Sequence, residues 1–113
     1  MRKFHPLRTW ARQTGGECIL GARVLKTHAC YLIYGELAPG EEGRKVSPGS
    51  GHEEILLAIQ GDVEIAEGSE IGVLREGEAV HIVEDESMTL ANRGAEKAVY
   101  VLAGGHPGKG HHH

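Results

Sequence analysis

His52 and Glu54 stand at alternate positions in the segment SGHEEILLAIQGDVEI. A strand repeats its facing every second residue, so both side chains point to one side of it. An imidazole and a carboxylate on one face can work as a general acid–base couple without any metal. They are also two of the ligands in the carboxylate-plus-imidazole set used by non-haem iron, which a His from another strand, His81 or His28, would complete. Each has a plainer reading. His52 is then a surface histidine or a hydrogen-bonding partner of Glu54, and Glu54 a solvated carboxylate at the start of a strand. A carboxylate placed just before an apolar run must find a partner, or be neutral, once it is buried. His81 lies inside AVHIV with the parity of Ala79 and Val83, and the pattern does not choose between pocket and exterior.

These residues need a scaffold, and the chain's size and composition bound it. At 113 residues it is one domain. Aromatic residues are few, so the core is built from Val, Ile, Leu and Ala. Seventeen glycines are spread along the chain, which suits many tight turns and excludes a collagen or linker composition. The formal charge of −4 gives no basic stripe for nucleic acid. No apolar run approaches the ~18 residues that a membrane span needs. Basic residues near the start (Arg2, Lys3, Arg8, Arg12) are not followed by a signal-peptide stretch, so a cytoplasmic protein is expected. Cys18 and Cys30 are then two free thiols. The closing Gly-Lys-Gly-His-His-His reads as a linker and part of an affinity tag.

The chain divides into an N-terminal arm (1–16), a β-rich body (17–104) and a tail (105–113). In the arm, Phe4, Leu7 and Trp10 recur every third residue. They make one or two helical turns that begin no earlier than Pro6, or an extended arm. The arm packs on the outside of the body or on a partner subunit, or forms a lid. Strands are expected over 18–25, 29–37, 71–74, 79–83, 87–91 and 98–102, with a polar loop over 41–51. Residues 53–60 and 63–65, joined by Gly61-Asp62, read as a hairpin whose first strand is buried on nearly both faces. Strands about every ten residues with turns between them argue for an all-β barrel or sandwich. Tyr31 and Tyr34 fall on opposite faces, so at most one lines an interior.

Two stretches resemble the paired motifs of the cupin family. Glu54 followed after six residues by Gly61 fits the second half of the first motif, but Pro48 and Ser50 stand where the family places its paired histidines. Gly77 and Asn92 fit the ends of the second motif, whereas Val83-Glu84-Asp85 occupies its Pro-x-Gly and Met88 the place of its last metal-binding His. The resemblance covers about residues 30–103. It implies a cupin-type β-barrel (double-stranded β-helix, or jelly roll), with another small β-barrel as the alternative. Of the four ligands of a family metal site it leaves only Glu54.

The resemblance implies a homodimer that binds a small molecule in its barrel, with His52, Glu54, His81 and Met88 lining the site. No cofactor is expected. A divalent or transition metal is the alternative, held by His52 and Glu54, with Met88 able to favour Cu(I). The reading leaves open whether the protein is an enzyme. A binding or sensing module stands beside a metal-free isomerase, epimerase or lyase using His52 and Glu54, and a metal-dependent oxygenase or isomerase with non-standard ligands.

Overall fold

The alternation of β-branched residues with glycine-marked turns produces nine strands and two short helices in the computed structural model, which describes residues 1–106. In chain order they are α1 (Leu7–Gln13), β1 (Glu17–Leu20), α2 (Ala22–Leu25), β2 (Tyr31–Leu37), β3 (Arg44–Val46), β4 (Glu53–Gln60), β5 (Val63–Glu67), β6 (Glu70–Leu74), β7 (Ala79–Ile82), β8 (Met88–Ala91) and β9 (Ala98–Gly105). They form two antiparallel sheets, one ordered β1-β2-β9-β4-β7 and the other β3-β8-β5-β6. Leu37, Leu56, Val63, Ile82, Leu90, Tyr100 and Leu102 fill the space between the sheets. No helix among the described residues is long and apolar enough to cross a membrane.

Gly61-Asp62 does not close a hairpin. β4 pairs with β7 and β9, whereas β5 pairs with β6 and β8 in the other sheet. The chain turns a corner between sheets here, and its polar groups are bonded to the β6–β7 turn. Gly61 N–H donates to Glu76 Oε1 at 2.8 Å, and Glu76 N–H to Asp62 Oδ1 at 3.0 Å. The two-residue hairpin is the next turn, Gly68-Ser69, which sets Glu67 opposite Glu70. Nor is β4 buried on both faces. Glu54, Leu56 and Ala58 point inward, and Ile55 and Ile59 are about half exposed on the other side.

Three further expectations shift. The strand expected over 18–25 ends at Leu20 and gives way to the single turn of α2. The polar 41–51 segment contains a strand, β3, which pairs with β8. At the other end, β9 runs to Gly105, and the ring of His106 stands edge-on to that of His52 at 4.9 Å. Residues 107–113, with most of the tag-like tail, lie outside the described residues.

The arm becomes a helix that starts directly after Pro6. It buries Ala11 and lies over β1 and β2. Its anchor is Glu36 on the outer face of β2. Arg12 Nε donates to Glu36 Oε1 at 3.1 Å, Tyr34 Oη to Oε2 at 2.7 Å, and Lys97 Nζ lies 3.2 Å from Oε1. Burial pushes the Glu36 carboxyl up, but these three partners outweigh it and hold the group at about 2.

Asn92 closes the structure at the end of β8. Its side-chain amide donates to the carbonyls of Leu37 and Glu96, and its Oδ1 accepts from Gly94 N–H. With a fully buried side chain and its polar groups bonded, Asn92 ties the loop after β8 to the end of β2.

Candidate functional site

Strand pairing puts Tyr31 (β2), Gly104 (β9) and Glu54 (β4) in one row across three neighbouring strands of the five-stranded sheet. All three face the interior. Gly104 has no side chain, so the Tyr31 ring lies across it. A Cβ built there would sit 2.6 Å from the ring. The phenol thereby reaches the strand beyond and donates to Glu54 Oε2 at 2.5 Å. Burial and the Glu54 carboxylate together push the Tyr31 phenol well above its ordinary range, so it stays protonated as a donor.

The same arrangement recurs at mid-barrel. Glu17 (β1), Gly35 (β2) and Tyr100 (β9) form a second row, in which the Tyr100 ring lies over Gly35 and its hydroxyl donates to Glu17. Arg44 Nη1 donates to the Tyr100 hydroxyl at 2.8 Å, and Nη2 to Glu41 Oε2 at 2.7 Å. Tyr100 is completely buried. The Tyr100–Gly35 contact is packed core, with Glu17 partly exposed at the end of the row, whereas the Tyr31 row opens on a cavity.

That cavity has a volume of about 360 Å³. Tyr31, Ile33 and Glu54 form its floor on the inner face of the sheet. Ser47, Pro48 and His52 close one side, and the α2 turn with Thr27, His28 and Cys30 closes the other. Glu54 is only 5% exposed, so it presents its carboxylate from the base of the cavity. His52 places Nδ1 3.3 Å from the Pro48 carbonyl oxygen and its ring edge-on to Tyr31, with centroids 5.7 Å apart.

The structure therefore brings His52 and Glu54 into one cavity, with His28 at its rim. The hydrogen-bonding partner of Glu54 is nevertheless Tyr31 rather than His52. His81 is not brought there. It lies on the outward face of β7, where its Nε2 is 2.7 Å from Glu53 Oε1 and both side chains are well exposed. One residue of register decides this, since Ile82 beside it is buried. Met88 faces inward but belongs to the packed core, opposite Val46, and does not line the cavity. A larger cleft of about 580 Å³ lies at the opposite end of β4. Two of its arginines are already spoken for, Arg75 by Asp62 and Arg93 by Glu42 and Glu64.

No protein-family model matches this sequence, and no curated protein matches it. Solved structures do. An uncharacterized conserved protein with a double-stranded β-helix domain from Klebsiella pneumoniae superposes with a TM-score of 0.71, covering 93% of this chain and 90% of that one at 18% identity. A sugar phosphate isomerase from a cupin superfamily, from Silicibacter pomeroyi, gives 0.63 over 93% of this chain and 68% of that one at 15% identity. This chain has the cupin fold. A predicted oxalate decarboxylase from Thermotoga maritima is also similar, at 0.66 over 80% and 81% of the two chains and 15% identity. At such identities the likeness speaks for the fold and leaves function to the site.

Cupins of the family pattern hold a metal with three histidines and a glutamate, as the motif resemblance implies. The side chains here do not fit that role. Pro48 supplies only a ring and a carbonyl to the cavity wall, Met88 is in the core, and Tyr31 occupies one oxygen of Glu54. Among the described residues, no three His, Cys, Asp or Glu side chains gather closely enough to hold a metal ion.

Proposed function

We propose that this cupin binds a small organic molecule in the cavity at the mouth of its barrel, with Glu54, Tyr31 and His52 as the polar contacts. One observation carries the reading. A nearly buried carboxylate, steadied by a neutral phenol, forms the base of a partly apolar cavity of ligand size. A buried charge of this kind is costly to keep without a partner and is worth keeping where a ligand completes its bonding.

The test is a thermal-shift screen of small polar molecules on protein with the C-terminal histidines removed. Hits are then titrated while the ring resonances of Tyr31 and His52 are followed by NMR. Saturable shifts of both rings are expected. Hits that bind while leaving both rings unmoved would place the binding elsewhere and end this reading.

The adjacency of Tyr31, Glu54 and His52 also favours a second reading, a metal-free isomerase, epimerase or lyase. There the phenol would deliver a proton and the carboxylate take one up. A metal-dependent oxygenase or isomerase would need a third ligand beside His52 and Glu54. His81 is turned away from them on the outer face.

The proposal includes a homodimer. β6 is an edge strand with Ile71 68% and Val73 51% exposed, a surface that pairing with a second copy would cover. Sedimentation equilibrium is expected to give twice the chain mass. A monomer mass at micromolar concentration overturns this part.

A further inference from the structure

We infer that the ligand of the Tyr31–Glu54 cavity is a small organic cation, an ammonium group on a compact apolar body, and that anions such as carboxylates and phosphate esters are rejected. This rests on the binding reading above and narrows it to one class of molecule.

The argument begins with charge. Among the described residues Glu54 is the one acidic side chain lining the cavity, and no Lys or Arg side chain lines it. An anion brought here meets a like charge in a partly desolvated place with no Lys or Arg beside it. At a separation near 4 Å that repulsion is worth about a hundredfold or more in affinity. The substrate classes in the names of two structural neighbours, a predicted oxalate decarboxylase and a sugar phosphate isomerase, are both anionic. This cavity has the opposite polarity.

Hydrogen-bonding capacity points the same way. Tyr31 gives its only proton to Glu54, so towards a ligand it offers lone pairs alone. The carboxylate accepts only. The Pro48 carbonyl also accepts only, so its contact with His52 calls for the proton on Nδ1 and turns that donor away from the cavity. The floor thus presents acceptors to its occupant, and the Thr27 and Ser47 hydroxyls on the walls can accept as well as donate. An ammonium group carries three donors and a charge, and satisfies them together. Ile19, Ile33 and Pro48 supply an apolar wall for the rest of the molecule.

Three probes of one shape separate charge from fit: cyclohexylamine, cyclohexanol and cyclohexanecarboxylate. They are titrated at about pH 8, where a free alkylamine is protonated and a free carboxylic acid ionised. The Tyr31 and His52 ring resonances report binding. The ammonium form is expected to bind at least about tenfold tighter than the alcohol, as a charge-assisted bond implies, and the carboxylate to leave both rings unmoved. In Glu54→Gln the preference for the amine should vanish while the alcohol keeps its affinity within about threefold. If that variant does not fold, the wild-type comparison of the three probes decides alone. Equal binding of amine and alcohol, or tighter binding of the carboxylate, overturns the cation inference and leaves the binding reading intact. No movement of either ring with any probe overturns both.

Discussion

Gly35→Ala is expected to cost about 4 kcal/mol or more of folding stability, enough to leave a domain of this size marginal or unfolded. A Cβ at Gly35 would stand 2.1 Å from Tyr100 Cζ and 2.3 Å from its hydroxyl oxygen. The ring has nowhere to go. Tyr100 is fully buried, and its hydroxyl is fixed by Glu17 and Arg44. Moving it breaks a partly buried polar network as well as the packing. Gly104→Ala makes an instructive contrast, because its Cβ would meet the Tyr31 ring at 2.6 Å but that ring borders an open cavity. Tyr31 can swing aside, so the loss should be nearer 1–2 kcal/mol. Its phenol would then leave Glu54 and titrate closer to the ordinary tyrosine value of about 10. Urea unfolding of both variants, with ultraviolet titration of the phenols in Gly104→Ala, reads these effects. A loss under about 1 kcal/mol in Gly35→Ala would show that the barrel interior yields more easily than its packing implies.

The second large effect is acid destabilisation centred on Glu36. The group titrates at about 2 in the folded protein against 4.5 for the free carboxyl. A depressed carboxyl stabilises the fold at pH above its unfolded value, and that stabilisation is lost as pH falls towards the folded value. Stability is therefore expected to drop by roughly 2–3 kcal/mol between about pH 4.5 and pH 2 from this group alone. The figure belongs at the lower end, because Arg12 and Lys97 are about half exposed and partly screened, although Glu36 itself is 7% exposed. The titratable groups around it are Arg8, Arg12, Tyr34, Lys97 and the acidic Glu96. In Glu36→Gln the slope of stability against pH across this window should flatten, while stability at pH 7 falls. Parallel pH curves for wild type and variant would assign the acid transition to other carboxylates.

Much of the scaffold was legible because strand periodicity and turn chemistry are local. Alternation put His52 and Glu54 on one face and separated Tyr31 from Tyr34, and the structure has both relations. The rhythm of strands and glycine turns gave the all-β fold. Failures came where one local signal serves two geometries. Gly61-Asp62 is good hairpin chemistry, yet an equally good corner between sheets, and only the distant Glu76 decides. β3 is three residues long inside a polar stretch and exists because β8 pairs with it. His81 depended on a choice of face that parity leaves free. The Tyr31–Glu54 bond was out of reach for a different reason. It needs the register of three strands and the missing side chain of Gly104, which no window of adjacent residues contains.

The two tyrosine-over-glycine rows also constrain the routes by which this sequence can change. Position 35 is closed to any side chain while position 100 holds an aromatic ring, and it opens only once that ring has been shortened. The reverse order passes through a chain expected to be marginal or unfolded. Positions 31 and 104 are linked in the same way but more loosely, since the ring there has an exit. Substitutions within each pair are thus contingent on history, and their effects do not add. In related chains the size of one residue should fall where the size of its partner rises, and the linkage should be tighter in the buried pair than at the mouth.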